Sequence, residues 1–483
     1  MIIDWKPDTN APLPLYRQIY TFIRDKIQTG QWAANTRLPA QRKLAAIFGV
    51  NRSTLTAALD ELCADGFLES RKGSGSFVTN HGWASFRHVP ADWNPYLYQT
   101  AFLSNLPMIQ TINEKEFDPA IIRLGTGELS PELLPQAELK ALLPDAIKNI
   151  PSFGYQEPLG LLELRQEISQ HLKKSGIDAA PDSILIVSGA LQALQLIFFG
   201  LLPPCSHILV EQPSYLQSLK MLQSAKLHFS SVPVSDEGIS LSSLYFQQKK
   251  FPHALLYTIP SFQNPTGALL SSDKRKQLLN FCQQLQLPVL EDNVYAELWL
   301  HEPPPPPLKA LDTAGNVLLI DSLSKAIGPG LRIGWIVGPP AVIARLGDLK
   351  MQHDYGCSIL SQWLAKEWLQ SSFHQQHMDR LRHRLRERQQ LAGQILQLHF
   401  SEIASWQLPK GGFYIWLHLK KPISLHTLFE QALQKNILLN PGSIYHHVDT
   451  SHLRISIAYA SCEELRFALQ ELADIIKKLL TNT

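Results

Sequence analysis

The stretch Asp321-Ser-Leu-Ser-Lys-Ala-Ile-Gly-Pro-Gly-Leu-Arg-Ile-Gly-Trp335 decides how this chain reads. It places one lysine, Lys325, after two small hydroxyl residues, Ser322 and Ser324, and before a Gly-Pro-Gly turn. Arg332 follows seven positions later. The short apolar run ahead of it, Asn316-Val-Leu-Leu-Ile320, predicts a buried strand. Lys325 then falls just past a strand end, where α/β folds place their chemistry. A partly desolvated lysine there is a Schiff-base nucleophile. Ser322, Ser324 and Arg332 can hold a phosphate. The plain alternative is a surface lysine that happens to follow a strand.

Two upstream segments bear on that choice. Ser261-Phe-Gln-Asn-Pro-Thr-Gly267 is a turn after the apolar strand Ala254-Leu-Leu-Tyr-Thr258. Leu287-Pro-Val-Leu-Glu-Asp-Asn-Val-Tyr295 is a strand that ends in Asp292, with Tyr295 one turn on. A cofactor with an aromatic nitrogen needs a carboxylate beside that nitrogen, because an opposite charge favours the protonated form. Asn264 and Tyr295 can donate to its phenolate oxygen. Asp292 by itself reads equally as a buried structural carboxylate. The ordered set Asn-Pro-Thr-Gly, Asp-x-x-Tyr, Ser-x-Ser-Lys and Arg resembles the fold-type I aminotransferases, which use pyridoxal 5′-phosphate (PLP). The resemblance covers roughly residues 120–480.

It extends to other positions. Arg123-Leu-Gly-Thr-Gly-Glu-Leu-Ser-Pro131 resembles the glycine turn near the substrate, which implies a role for Gly127. Gly154-Tyr-Gln-Glu-Pro-Leu-Gly160 resembles a family segment whose tyrosine reaches the cofactor phosphate, in several members from the partner subunit. Tyr155 is the matching position. Ile184-Leu-Ile-Val-Ser-Gly-Ala-Leu-Gln-Ala-Leu194 reads as a strand, a glycine turn and a helix start. Free N–H groups and the helix dipole favour a phosphate there, at Gly189, Ala190 and Leu191. Leu191 departs from the family pattern and removes a side-chain donor. Tyr215 matches the aromatic that stacks on the cofactor ring, although a lone tyrosine is more often ordinary packing. Arg454 matches the arginine that forks onto a substrate carboxylate, a task its planar donors suit. Pairing with a structural acid is the alternative.

The N-terminal stretch reads differently. Apolar residues at Leu15, Ile19, Phe22, Ile23 and Ile27 have helical spacing, and Gly30 ends the run. Leu38-Pro-Ala-Gln-Arg-Lys-Leu-Ala-Ala-Ile-Phe48 predicts a second helix, after a polar turn. Gly49-Val50-Asn51 is a tight turn, and residues 52–62 form a third helix. Residues 66–78 predict a hairpin with a basic, glycine-rich tip. This order describes a winged helix-turn-helix, mostly α with a β-hairpin wing. The third helix would enter the major groove of double-stranded DNA, with Asn51, Arg52, Ser53 and Thr54 toward the base edges. Arg42, Lys43, Arg52, Arg71 and Lys72 would meet phosphates or bases, and the tip that includes Gly75 would reach the minor groove. A small helical protein-interaction domain is the alternative. The pattern Leu-Pro-x-x-Arg-x-Leu-Ala, Gly-Val-x-Arg-x-Thr and Gly-x-Gly-x-Phe-Val resembles the GntR family of bacterial regulators. Ala40 stands where that family has a serine cap.

Composition bounds the rest. A chain of 483 residues is too long for one core. A formal charge of +2 excludes bulk polyanion binding, so DNA affinity must come from a local patch. No stretch approaches a membrane span, and the N-terminus has no signal-peptide core. Five scattered cysteines, one of them left over from any pairing, predict buried free thiols in a reducing cytoplasm. The seventeen histidines show no metal-ligand spacing, so no metal site is expected. The even spacing of Arg380, Arg382, Arg384, Arg386 and Arg388 predicts a solvated helix. The proline run at 303–307 is either a partner ligand or a stiff surface loop.

Four segments are expected. A DNA-binding head spans 1–78, and a linker and packing segment rich in aromatics spans 79–120. A large PLP-binding α/β domain spans 121–350, and a small C-terminal α/β subdomain spans 351–483. The architecture resembles the MocR/GabR subfamily of GntR regulators. That resemblance implies a PLP-dependent regulator that senses PLP, an amine or an amino acid, assembled as a head-to-tail homodimer. The competing reading is an active aminotransferase that carries a DNA-binding head.

Overall fold

The chain folds as two units, Met1–Thr100 and Ala101–Thr483. The computed structural model describes residues 3–71, 74–79, 104–220, 227–235 and 238–481. The aromatic linker residues from Trp83 to Phe102, and Lys72 of the wing tip, lie outside them.

In the first unit, α1 (Leu15–Gln28), α2 (Gln41–Phe48) and α3 (Arg52–Ala64) precede a hairpin of β1 (Leu68–Arg71) and β2 (Gly75–Val78). The helical spacing of apolar residues closes a core in which Ile19, Ile23, Leu44, Leu55 and Leu59 are buried. Gly49 ends α2 at φ 70°, the left-handed cap that makes the turn tight. α2 begins at Gln41, later than the sequence suggested. The reason is that residues 35–38 belong to the wing. Leu38 N–H donates to Ser76 O at 2.9 Å, Val78 N–H donates to Thr36 O at 3.0 Å, and Arg37 bridges Phe77. Ala40 gives α2 no side-chain cap, as its departure from serine implied.

The second unit is built on an eight-stranded sheet. Its strands are β3 (Ile184–Val187), β4 (His207–Gln212), β5 (His228–Ser235), β6 (Gly238–Ile239), β7 (Leu255–Thr258), β8 (Val289–Asp292), β9 (Val317–Ser322) and β10 (Gly334–Val337). Their spatial order is β3-β10-β9-β8-β7-β4-β5-β6. The run β9-β8-β7-β4-β5 is parallel, and β10 is antiparallel to both neighbours. All four residues of β3, β7, β8 and β10 are buried, as strands covered on both faces require. The carboxyl ends of β7, β8 and β9 therefore open side by side, and each carries a segment singled out above. A second sheet, β11 (Ala404–Ser405), β12 (Tyr414–Leu419), β13 (Asn440–Pro441) and β14 (His452–Ser456), has the order β11-β12-β14-β13. Helix Pro340–His353 runs through position 350, where the sequence had suggested a boundary.

Two expectations need correction. Of the five arginines on helix Phe373–His399, Arg382 and Arg388 are buried rather than solvated. Arg382 lies 4.1 Å from the Trp299 ring and donates to Glu297 O at 3.0 Å. Arg388 donates to Ala458 O at 2.8 Å and pairs with Glu132. Cysteine burial is also uneven. Cys282 and Cys357 are buried, but Cys205 and Cys462 are exposed. The proline run is fastened at its end, where Arg275 donates to Pro306 O at 3.2 Å and Glu291 accepts from Leu308 N–H at 2.8 Å. Among the described residues no helix is long and apolar enough to cross a membrane.

Candidate functional site

Lys325 ends a short 3₁₀ turn, Leu323–Lys325, directly after β9. Ser322 Oγ accepts from Ser324 N–H at 3.1 Å and lies 3.1 Å from Ile333 O. Ser322 is buried and serves to hold this turn, while Ser324 is partly open. Lys325 Nζ donates to Gly127 O at 2.7 Å and lies 5.9 Å from the Tyr295 ring centre. Gly127 is required there, because a Cβ would sit 2.6 Å from the Tyr414 hydroxyl.

Asp292 closes β8 and accepts from the Tyr257 hydroxyl at 2.7 Å. Burial pushes its carboxyl up to about 6, against the Tyr257 hydrogen bond and the Lys325 charge. Asn264 stands on the turn after β7, where Asn264-Pro265 is cis. Its Nδ2 donates to the Tyr295 hydroxyl at 3.3 Å, and its Oδ1 accepts from Arg454 Nη1 at 2.8 Å. The Tyr295 and Tyr414 hydroxyls are 3.3 Å apart. Tyr215 stands on a 3₁₀ turn after β4, and burial followed by the Asp292 charge pushes its hydroxyl well up.

Arg454 comes from β14 of the small sheet and is 5% exposed, yet among the described residues no carboxylate pairs with it. Its partners are neutral: Asn264 Oδ1, Gly125 O and, with the amide turned, Asn440 at 3.1 Å. The rings of Tyr414 and Tyr445 lie 4.1 and 4.9 Å from its Cζ, and its Nε has no partner. A buried, unpaired guanidinium is costly unless an anion arrives to match it.

The phosphate-type features gather at one turn. Helix Ala190–Gly200 starts from Gly189 at φ 84°, which leaves its first N–H groups open. Arg332, itself left-handed at φ 52°, donates from Nη2 to Ser188 O at 2.7 Å. A Cβ on Gly189 would come within 2.8 Å of that guanidinium. Ala190 and Leu191 occupy the first positions of the helix, with Leu191 39% exposed. Tyr155 is 85% exposed, with its ring 5.2 Å from that of Tyr355.

The site thus brings together Gly127, Tyr215, Asn264, Asp292, Tyr295, Lys325 and Arg454, with Arg332 beside Gly189 and Ser324 held on Ser322. Sequence reasoning missed Tyr257, Tyr414, Tyr445 and Asn440. Tyr257 had a signal. It pairs with Leu290 in register, so it shares a face with Asp292 two residues on.

Histidines do cluster, although their spacing suggested no ligand set. His171 and His374 each approach Glu297 Oε1 at 3.3 Å. Trp368 Nε1–H donates to His374 Nδ1 at 2.9 Å, which leaves the His374 proton on Nε2, facing Glu297. In that tautomer His374 is neutral and donates a hydrogen bond to Glu297, so the charge opposite Glu297 comes from His171. Burial alone would raise Glu297, but His171 and His374 hold its carboxyl well below the usual range.

In the first unit, Arg42, Lys43, Arg52 and Ser53 are exposed, with Thr54 half-buried. Asn51 Oδ1 accepts from Thr54 N–H at 2.8 Å and from Ser53 Oγ at 2.9 Å, so it caps α3. Arg71 folds back on Glu69 at 2.5 Å and over the Phe77 ring at 4.5 Å. Gly75 has φ 97°, and Arg37, unmarked by the sequence, lies beside it.

Residues 15–78 match the family described as bacterial regulatory proteins, gntR family, and residues 119–472 match aminotransferase class I and II. The chain is 44% identical to the HTH-type transcriptional regulator YisV of Bacillus subtilis over 99% of both chains. It is 32% identical to the HTH-type transcriptional regulator NorG of Staphylococcus aureus, over 92% of this chain and 100% of that one. Solved structures with a similar fold include aminotransferases. Kynurenine aminotransferase of Pyrococcus horikoshii, in complex with PMP, has a TM-score of 0.73 at 28% identity, covering 78% of this chain and 95% of that one. LysN, an α-aminoadipate aminotransferase of Thermus thermophilus complexed with N-(5′-phosphopyridoxyl)-L-leucine, has a TM-score of 0.71 at 29% identity, covering 78% and 96%. With a gntR winged helix joined to an aminotransferase class I and II domain, and relatives of this length that are HTH-type transcriptional regulators, the chain belongs to the MocR/GabR subfamily of the GntR regulators.

Proposed function

We propose that this protein regulates transcription by binding operator DNA through its winged helix while its aminotransferase-like domain holds PLP and senses an amino acid, an amine or PLP itself. One observation carries the reading most: Arg454 is buried with an unpartnered Nε and, among the described residues, no acid, and it is joined through Asn264 to Tyr295, over whose ring Lys325 Nζ lies at 5.9 Å.

The residues fit PLP. Asp292 is a buried carboxyl raised to about 6, and a protonated ring nitrogen would restore its charged form. The space at Gly189 that a Cβ would fill lies against Arg332, where a phosphate needs room. Bound there, PLP supplies an aldehyde that condenses with primary amines and a ring that withdraws their electrons. Lys325 Nζ presents the protein's own amine, oriented by Gly127 O. Asn264 Nδ2 and the Tyr295 hydroxyl supply donors to the phenolic oxygen, and Tyr215 offers a ring face. Arg332, Ser324 and the N–H groups of Ala190 and Leu191 would take the phosphate. Arg454 would exchange its neutral partners for an effector carboxylate. Tyr155, turned outward, would serve the second copy of a head-to-tail homodimer.

Gel retardation of the full chain on its own upstream DNA tests this, with and without PLP and then with a panel of amino acids and amines. A specific shift that PLP or one amine alters is the expected result. Absence of any shift at moderate salt would favour an enzyme with an idle head.

A further inference from the structure

The turn before helix Ala190–Gly200 is held from behind as well as from the cavity. Ser188 N–H donates to Gln192 Oε1 at 2.7 Å, and Gln192 Nε2 donates to Asp354 Oδ2 at 2.6 Å. Asp354 in turn accepts from Gly356 N–H at 2.9 Å and pairs at 3.4 Å with Lys350, whose side chain is 0% exposed. Burial works against the Asp354 charge, but Gln192, Gly356 N–H and Lys350 together keep its carboxyl below the ordinary value. Ser188 Oγ lies 3.5 Å from Cys357 Sγ. With Arg332 on its carbonyl, each polar atom of Ser188 is engaged.

The same loop reaches the Tyr155 segment. Gln362 Nε2 donates to Cys357 O at 3.0 Å, and Gln362 Oε1 accepts from Leu161 N–H at 2.8 Å. Tyr355, in the left-handed region at φ 52°, places its ring 5.2 Å from that of Tyr155. Both rings are exposed. Hydrogen bonds therefore join the Ser188–Gly189 turn, the 354–357 loop and Leu161, and a ring contact joins Tyr355 of that loop to the exposed Tyr155.

We propose that Gln192 and Asp354 are positioning residues that set the anion-binding turn and couple it, through the 354–357 loop, to the presentation of Tyr155 and Tyr355. The proposal rests on the PLP reading above. A phosphate on the turn pulls on Ser188, the Gln192–Asp354 link transmits the pull, and the Tyr155 segment tightens. Tyr355 is then presented together with Tyr155.

Spectroscopic titration of the full-length protein with PLP, and separately with pyridoxal, tests the link. Gln192→Met keeps the side-chain length and removes both hydrogen bonds. It should raise the apparent Kd for PLP about tenfold, the scale of one or two lost hydrogen bonds, and leave pyridoxal within about twofold. Asp354→Asn, whose amide oxygen can still accept from Gln192, should keep most of the preference for PLP, whereas Asp354→Ala should lose it. Hydrogen exchange of residues 154–161 gives a second readout: PLP should protect them in the wild type and not in Gln192→Met. Equal weakening of PLP and pyridoxal, or protection unchanged in the variant, would overturn the coupling. If the wild type binds neither PLP nor pyridoxal, the PLP reading fails and the coupling falls with it. Wild-type binding with an unchanged Gln192→Met overturns the coupling alone.

Discussion

Lys325 and Arg454 are two cations of the site, and among the described residues neither has an acid as a direct partner. Substitutions at the two should therefore separate. Lys325→Ala should abolish the visible absorption of bound PLP while leaving the thermal midpoint of the cofactor-free protein within a few degrees. Retained absorption would remove Lys325 from its role. Arg454→Met should spare that absorption and weaken the response to a carboxylate effector by about 100-fold, the worth of a desolvated ion pair. An unchanged response would place the carboxylate elsewhere. Asp321 offers a test independent of any ligand. Burial pushes its carboxyl up to about 8, although Ser322 N–H and Asn293 Nδ2 both donate to it. Because this folded value lies above the unfolded one, its contribution to stability is present below about pH 4 and is lost as the pH rises through 8. Asn293 Oδ1 has no partner, so an amide at 321 could donate to it once Asn293 turns. Asp321→Asn should then stabilise the cofactor-free protein by about 1–3 kcal/mol above pH 8, with little gain at pH 5. Thermal unfolding across that range would show it, and a pH-independent difference would refute the assignment.

Elements were legible in proportion to how local their causes are. The apolar runs 184–187, 255–258 and 317–320 marked buried strands because strands covered on both faces have no polar alternation to confuse them. Their ends led to Gly189, Asn264 and Lys325, and the strand 289–292 ended in Asp292, so the spine of the site could be read in order. What escaped depended on contacts far along the chain. Tyr414 reaches Tyr295 across 119 residues, and nothing in its own strand marks it. Arg382 and Arg388 sit on a polar helix, yet Trp299 and the Ala458 carbonyl draw them inward. The start of α2 was misplaced because residues 35–38 pair with the wing instead. The α3 cap was present in the sequence as Asn51, but its oxygen binds the helix itself. Asn51→Ala should cost about 1 kcal/mol of head stability, whereas Asn51→Asp should restore it. Equal losses in calorimetry would show that the cap contributes nothing.

At the scale of the whole chain, a net charge of +2 hides an uneven distribution. The head exposes Arg42, Lys43 and Arg52 together. If these meet phosphates, affinity for operator DNA should fall linearly on a log–log plot against salt. Arg42→Ala should reduce that slope by about 1, and an unchanged slope would place Arg42 off the backbone. The larger unit matches aminotransferase class I and II in a chain whose relatives are HTH-type regulators, so binding and turnover must be measured apart.

The uneven burial of the thiols has a practical side. A maleimide probe would react first at the exposed Cys205 and Cys462 and spare the buried Cys282 and Cys357. Replacing either exposed cysteine with serine leaves one exposed natural attachment point on the larger unit. Spin labels placed there would test whether a second copy of the chain lies within measuring distance, and whether PLP changes that, without altering Lys325, Asp292 or Arg454.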